Sequence, residues 1–256
     1  MTATAATAHE VDAPPLPAAP TLRGAIRAAA VDFYYNSWRL VPANVVWALG
    51  LGILYVVFLF WPFGALLLLP VLAVPTVGLY RMAALIVRGE SVSFWDGVGA
   101  WRQYLAPALS AGIALVLAAT AFTVNVFGGL ASGDPIGLAF ATFAGWGLLI
   151  SALLAACFWP LLVDPRREGW GARRTLRLAG YLVIAHPLRI VGLVVATAIL
   201  LIVSTVAFAA LVTISVALAA LFGSHFVLPS ADRLEARLGE RGLTFGPQRQ
   251  GPIMPR

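Results

Sequence analysis

Lysine is absent from this 256-residue chain, and all seventeen of its basic residues are arginines. Charged residues make up only 11% of it against 61% hydrophobic residues, with a mean hydropathy of +0.89, which excludes an ordinary soluble domain. A single cysteine, Cys157, lies inside an apolar run, so neither a disulfide framework nor a thiolate metal site is available, and it is expected as a small core residue. The three histidines, His9, His186 and His225, have no spacing that puts two of them on one helical face. No HExxH pattern, phosphate-binding glycine loop or nucleophile-elbow serine occurs, and no cofactor or metal is expected. Nor does any ionisable residue fall near the middle of an apolar run, where catalysts and ion-coupled transporters keep theirs. Arg81, Asp164, Arg189 and His225 all sit within about a turn or two of a run's end. These absences argue against an enzyme.

What remains is long apolar sequence. Five blocks are evident, at Val41–Trp61, Phe63–Val87, Tyr104–Phe127, Ile136–Val163 and Leu188–Leu228. They are apolar all round, unlike the alternating strands of a membrane barrel, and about 20 residues suffice for a helix to cross a bilayer. A bilayer leaves no other way to pair the backbone. The last block, as one straight helix at about 1.5 Å per residue, would span roughly twice the hydrocarbon thickness, so it must hold two spans. No Gly, Pro or Asn marks the fold-back, which is expected near Ser204–Ala209. The fold class is therefore all-α, a polytopic bundle of six transmembrane helices in three hairpins.

The arginines support that count. They cluster before the first span (Arg23, Arg27, Arg39), around the second loop (Arg81, Arg88, Arg102), around the fourth (Arg166, Arg167, Arg173, Arg174, Arg177, Arg189) and in the tail (Arg233, Arg237, Arg241, Arg249, Arg256). None falls in the short connections at Trp61–Gly64 and Gly128–Pro135. With six spans every arginine lies on one side, and the positive-inside rule makes both termini cytoplasmic. The net charge of +6 forms no basic stripe on a soluble domain, so anionic lipid headgroups, not nucleic acid, are the expected counter-ions.

Each hairpin is expected to follow a cytoplasmic amphipathic interfacial helix. The first carries Leu22, Ile26, Ala30 and Phe33 before Pro42. The second has Ser93 as N-cap with Asp96 three residues on, then Phe94, Val98, Trp101 and Leu105 before Pro107. The third carries Ala172, Leu176, Ala179 and Val183 before Pro187. Arg23, Arg27, Arg88, Arg102, Arg173, Arg174 and Arg177 are then candidates for lipid-headgroup or partner contacts. Trp38, Trp61, Trp95, Trp101, Trp159 and Trp170 lie near span ends, as interfacial belts do. Residues 1–20 and 239–256 are expected to be disordered cytoplasmic tails flanking a membrane domain over 21–238, with a short amphipathic helix near 230–238.

Three polar residues fall inside the spans: Asn44, Thr76 and Asn125. Interhelical hydrogen bonding is the simpler reading, and lining a polar path for a neutral solute is the competing one. Pro70 and Pro75 are expected to kink span two, freeing carbonyls that Thr76 or Ser side chains can satisfy.

Asn44 with Trp47, the run Pro75-Thr76-Val77-Gly78-Leu79-Tyr80, Arg88-Gly89-Glu90 and the Phe94-to-Trp101 segment resemble the YesL-like family of bacterial integral membrane proteins. The later layout is similar, so the resemblance covers roughly residues 30–230, although this chain departs from the lysine-containing members. That family's domain has no assigned function. The resemblance implies a bacterial inner-membrane protein with an accessory role beside carbohydrate-uptake ABC transport, and it carries over no catalytic or binding residue. The leading expectation is a non-enzymatic accessory or interaction subunit with ABC transporter components as partners. The alternative is a small transporter or channel for a neutral solute.

Overall fold

The computed structural model describes residues 20–240 and, among these, is helical throughout apart from short turns. In order it forms α1 (Leu22–Phe60), α2 (Pro62–Leu68), a 3-10 turn (Leu69–Leu72), α3 (Ala73–Val87), α4 (Phe94–Gln103), α5 (Leu105–Ser132), α6 (Pro135–Leu162), a 3-10 turn (Pro165–Arg167), α7 (Ala172–Ala185), α8 (Pro187–Val206), α9 (Phe208–Ala210), a π-helical turn (Leu211–Ser215) and α10 (Val216–Glu240). Six stretches are long and apolar enough to cross a bilayer: α1, Pro62–Val87, α5, α6, α8 and Val212–Gly239. The chain is a multi-pass membrane protein. Most of the tail segments expected at the termini lie outside the described residues.

The fold-back in the last apolar block lies at Ala207, which caps α8, within the expected 204–209. α10 is the hub. Of its most apolar window 61% is buried, against 11% for α1, and it packs on α1, α3, α6, α7 and α8. Its inner face contributes Ala217, Leu221, Phe226, Leu228 and Ala231 to the core, and Cys157 of α6 is buried there too. Large apolar residues such as Phe60, Phe143, Leu188 and Val206 point outward, toward the lipid that a membrane domain faces.

Local signals explain the helix ends. Thr21 accepts from the Gly24 N–H at 3.1 Å, and Asp134 accepts from the Gly137 N–H at 2.6 Å. Between α5 and α6 the chain reverses at Gly133, whose φ of 69° favours glycine. At the start of α4, the Ser93 N–H and hydroxyl both donate to Asp96 Oδ2, at 2.7 and 2.9 Å.

The interfacial helices depart from expectation in two ways. The first is not separate, because α1 runs unbroken through Pro42. Pro42, and Trp38 whose carbonyl the proline leaves without an intrahelical donor, both lie on the exposed side of α1, so no buried group is orphaned. Residues 230–238 likewise continue the last span instead of forming a helix of their own. The second difference is rotational. In α7 the buried residues are Thr175, Leu178, Ala179 and Leu182, while Leu176 turns outward. In α4 the buried seam is Gly97, Ala100 and Tyr104. Both helices carry apolar residues on more than one face, and a close crossing chooses between them. At Gly78 a side chain would collide with Trp101 Nε1, and the Gly97 carbonyl lies 3.0 Å from where a Cβ would sit. Only glycine permits α3 and α4 to approach so closely.

Candidate functional site

The arginine-rich side is organised around Asp164, which follows α6. It is fully buried and accepts from the Arg166 N–H at 3.2 Å, starting the turn at Pro165–Arg167. Arg88, just past α3, reaches it with two hydrogen bonds, Nε to Oδ1 at 2.9 Å and Nη2 to Oδ2 at 2.6 Å. The same guanidinium spans Asp232 of α10 through Nη1 at 2.6 Å and Nη2 at 3.1 Å. Arg167, 2% exposed, donates to Asp164, to Asp232 at 2.7 Å, and twice to Glu235 at 3.2 and 2.9 Å. Arg166 adds an exposed contact to Asp232 at 3.2 Å. Close by, Arg81 donates to the Val163 carbonyl at 2.8 Å.

Three guanidinium groups thus meet three carboxylates, and the network carries no net formal charge. Burial alone would lower the pKa values of Arg88 and Arg167. The carboxylates outweigh it: for Arg88, hydrogen bonds and charge from Asp164 and Asp232; for Arg167, charge from Asp164 with hydrogen bonding and charge from Glu235. Both stay above ordinary arginine and fully charged. Replacing such a network by apolar side chains need not destabilise a protein, but removing one partner strands a buried charge. Chemically it is a staple joining the end of α3, the turn after α6 and the end of α10. Arg88, expected at the lipid headgroups, is instead committed to this staple, because Asp164 and Asp232 satisfy it inside the protein.

The other candidates divide. Arg23, Arg27, Arg102, Arg173 and Arg177 are exposed, as headgroup or partner contacts require. Arg174 lies over the Trp170 ring at 3.5 Å from its centroid, a cation–π contact. Of the tryptophans, Trp38, Trp61 and Trp95 are exposed, whereas Trp159 is buried in the core and Trp101 wedges into the α3–α4 crossing.

Asn44 and Thr76 make contacts between helices. The Asn44 amide donates to the Val212 carbonyl at 2.7 Å and accepts from the Ala217 N–H at 2.9 Å. Those two backbone groups are five residues apart, the pair a π-helical turn would join, so the carboxamide is inserted into the wider turn that opens α10. Thr76 accepts from the Trp47 indole N–H at 2.9 Å and donates to the Leu72 carbonyl at 2.7 Å, beside the 3-10 turn at Pro70. Asn44, Trp47 and Thr76 therefore join spans to one another. Asn125 is exposed and donates to Ala121 of its own helix at 2.7 Å, so it joins neither group.

No family model, curated protein or solved structure matches this chain.

Two features were missed in the sequence. One is the staple, whose signal was an acid at the end of a span (Asp164) and two more three residues apart on the last helix (Asp232, Glu235), matching nearby arginines. The other is a cavity of about 300 Å³ between the α7–α8 corner and α10, lined by Arg189, Arg233 and Arg237. Its signal was the four-residue spacing of Arg233 and Arg237, one face of a helix.

Proposed function

We propose that this chain is a non-enzymatic accessory subunit of a bacterial inner membrane, with both termini cytoplasmic, that engages a partner through the exposed face of α7. The observation that carries this reading is the way α7 is seated. Thr175, Leu178, Ala179 and Leu182 anchor it to the bundle, while Arg173, Leu176, Arg177, Tyr181 and Ile184 form an outward stripe of mixed character. Arginine and tyrosine interleaved with aliphatic residues are the composition of contact surfaces. The staple supports the reading from beneath, because the turn before α7 is held by Asp164 and Arg167.

Carbohydrate ABC importer components are the partner class that the family resemblance implies. The transporter alternative gains nothing from Asn44 and Thr76, whose polar groups are used between helices, or from Asn125, which faces outward. Affinity purification in mild detergent at native expression tests the proposal. Importer components should accompany the wild type and be lost with Arg173→Glu/Arg177→Glu. Recovery of no transporter component with the wild type would overturn it.

A further inference from the structure

α7 is basic at one end and apolar at the other. It holds no acidic residue, Arg173 and Arg174 stand in its first turn, and no side chain caps it at Gly171. Cations are unfavourable there, because a helix dipole is positive at its N-terminus. Arg174 is turned aside onto the Trp170 ring. Arg173 and Arg177 are exposed, repel each other at i, i+4, and form no ion pair with any described residue. Their charge is left for something outside the fold.

At about 100° per residue, Arg173, Arg177, Gly180 and Ile184 lie within about 60° of one another, opposite the buried Thr175, Leu178, Ala179 and Leu182. Leu176 and Tyr181 flank that line, one on each side. Gly180 marks its middle. A Cβ there would meet nothing within 4 Å, so packing inside this chain does not call for glycine, which weakens a helix relative to alanine. Its bare backbone lets another helix cross closely. Ile184, 78% exposed, ends the line with an apolar contact.

The order of residues across this face argues against lipid as its occupant. A helix that lies on a bilayer centres its apolar residues and keeps arginines to the polar side. Here Arg173 and Arg177 hold the centre and Leu176 and Tyr181 the margins, so docking on lipid would drive the guanidinium groups in first. A carboxylate meets a guanidinium fork through two parallel hydrogen bonds, which makes an acidic protein surface the complementary one.

We propose that α7 receives an acidic helical segment of a partner protein. Carboxylates four residues apart face Arg173 and Arg177, the two helices cross at Gly180, and an aliphatic side chain covers Ile184. The inference rests on the reading of α7 as a contact face, and it adds the chemistry of what is received.

The test uses the full chain in phosphatidylcholine nanodiscs and two labelled synthetic helices. One carries two glutamates four positions apart with leucines along the same face, and its twin has glutamines in place of the glutamates. Fluorescence anisotropy should show saturable binding of the acidic helix, at least about tenfold tighter than the twin. Arg173→Gln/Arg177→Gln should abolish that difference, with circular dichroism melting to verify folding; if the pair fails to fold, Arg177→Gln alone replaces it. Gly180→Leu should weaken both helices yet melt no lower than the wild type, because leucine is the better helix former. Native mass spectrometry after exposure to phosphatidylglycerol covers the other occupants. Equal affinity for the twins, binding of neither, or a retained phosphatidylglycerol or second copy of the chain that depends on the two arginines would overturn the proposal. The importer reading fails separately, when no importer component accompanies the purified wild type.

Discussion

Two groups of arginines lie side by side at the end of α10 and behave differently. The Arg88 and Arg167 side chains are buried and each grips two or more carboxylates; Arg189 and Arg237 stand exposed at the corner where α7 and α8 meet α10. The first group is closed upon itself and holds the fold together, whereas the second stands at the surface. The positive-inside rule places both sets on the same side and treats them alike. What separates them is the helical phase of α10, which gives Asp232 and Glu235 to one neighbour and Arg233 and Arg237 to another.

Breaking the closed group should have the largest effect. Asp164→Asn leaves Arg88 and Arg167 short of a buried partner, and thermal unfolding should reveal a loss of about 3–5 kcal/mol. Removing both sides of the contact, as in Arg167→Met with Glu235→Leu, should cost less than Arg167→Met alone, which double-mutant melting checks. Away from the charges, Asn44→Leu should cost about 2 kcal/mol or more, because the Val212 carbonyl and Ala217 N–H are both left unpaired in the core. Asn44→Asp retains only the acceptor, and hydrogen exchange should find the Leu211–Ser215 turn loosened.

The exposed group predicts small effects on stability and measurable ones on ionisation. Arg237→Gln should stay within about 0.5 kcal/mol of the wild type, as exposed substitutions do. It should also raise the His186 pKa toward its ordinary value, read by NMR titration of the labelled imidazole. The sign follows from linkage. With its folded pKa lowered, His186 binds fewer protons than the unfolded chain, so its contribution to stability is complete above the ordinary histidine range and falls as pH drops through it. Arg237→Gln should flatten that slope.

The six spans were legible in the sequence because bilayer thickness imposes a length on apolar runs, and the arginine pattern then required the last block to hold two spans. Local chemistry was legible as well: Ser93 and Asp96 act within three residues of each other. The staple was not, since Arg88 and Asp232 are 144 positions apart and only tertiary packing joins them. Nor was the buried face of α7, because its second apolar stripe competes with the first until α6 and α10 select one. The cavity needed both kinds of information, a local arginine row and a distant corner to face it.

The division between the two groups can be tested in a single melting experiment. Arg167→Gln and Arg237→Gln each remove one arginine from the end of α10's surroundings, and both are compared with the wild type in phosphatidylcholine nanodiscs. Arg167→Gln should melt many degrees lower, and Arg237→Gln should melt with the wild type. Equal melting of the two variants, or a larger loss in Arg237→Gln, would contradict the separation of a structural charge network from an exposed arginine cluster.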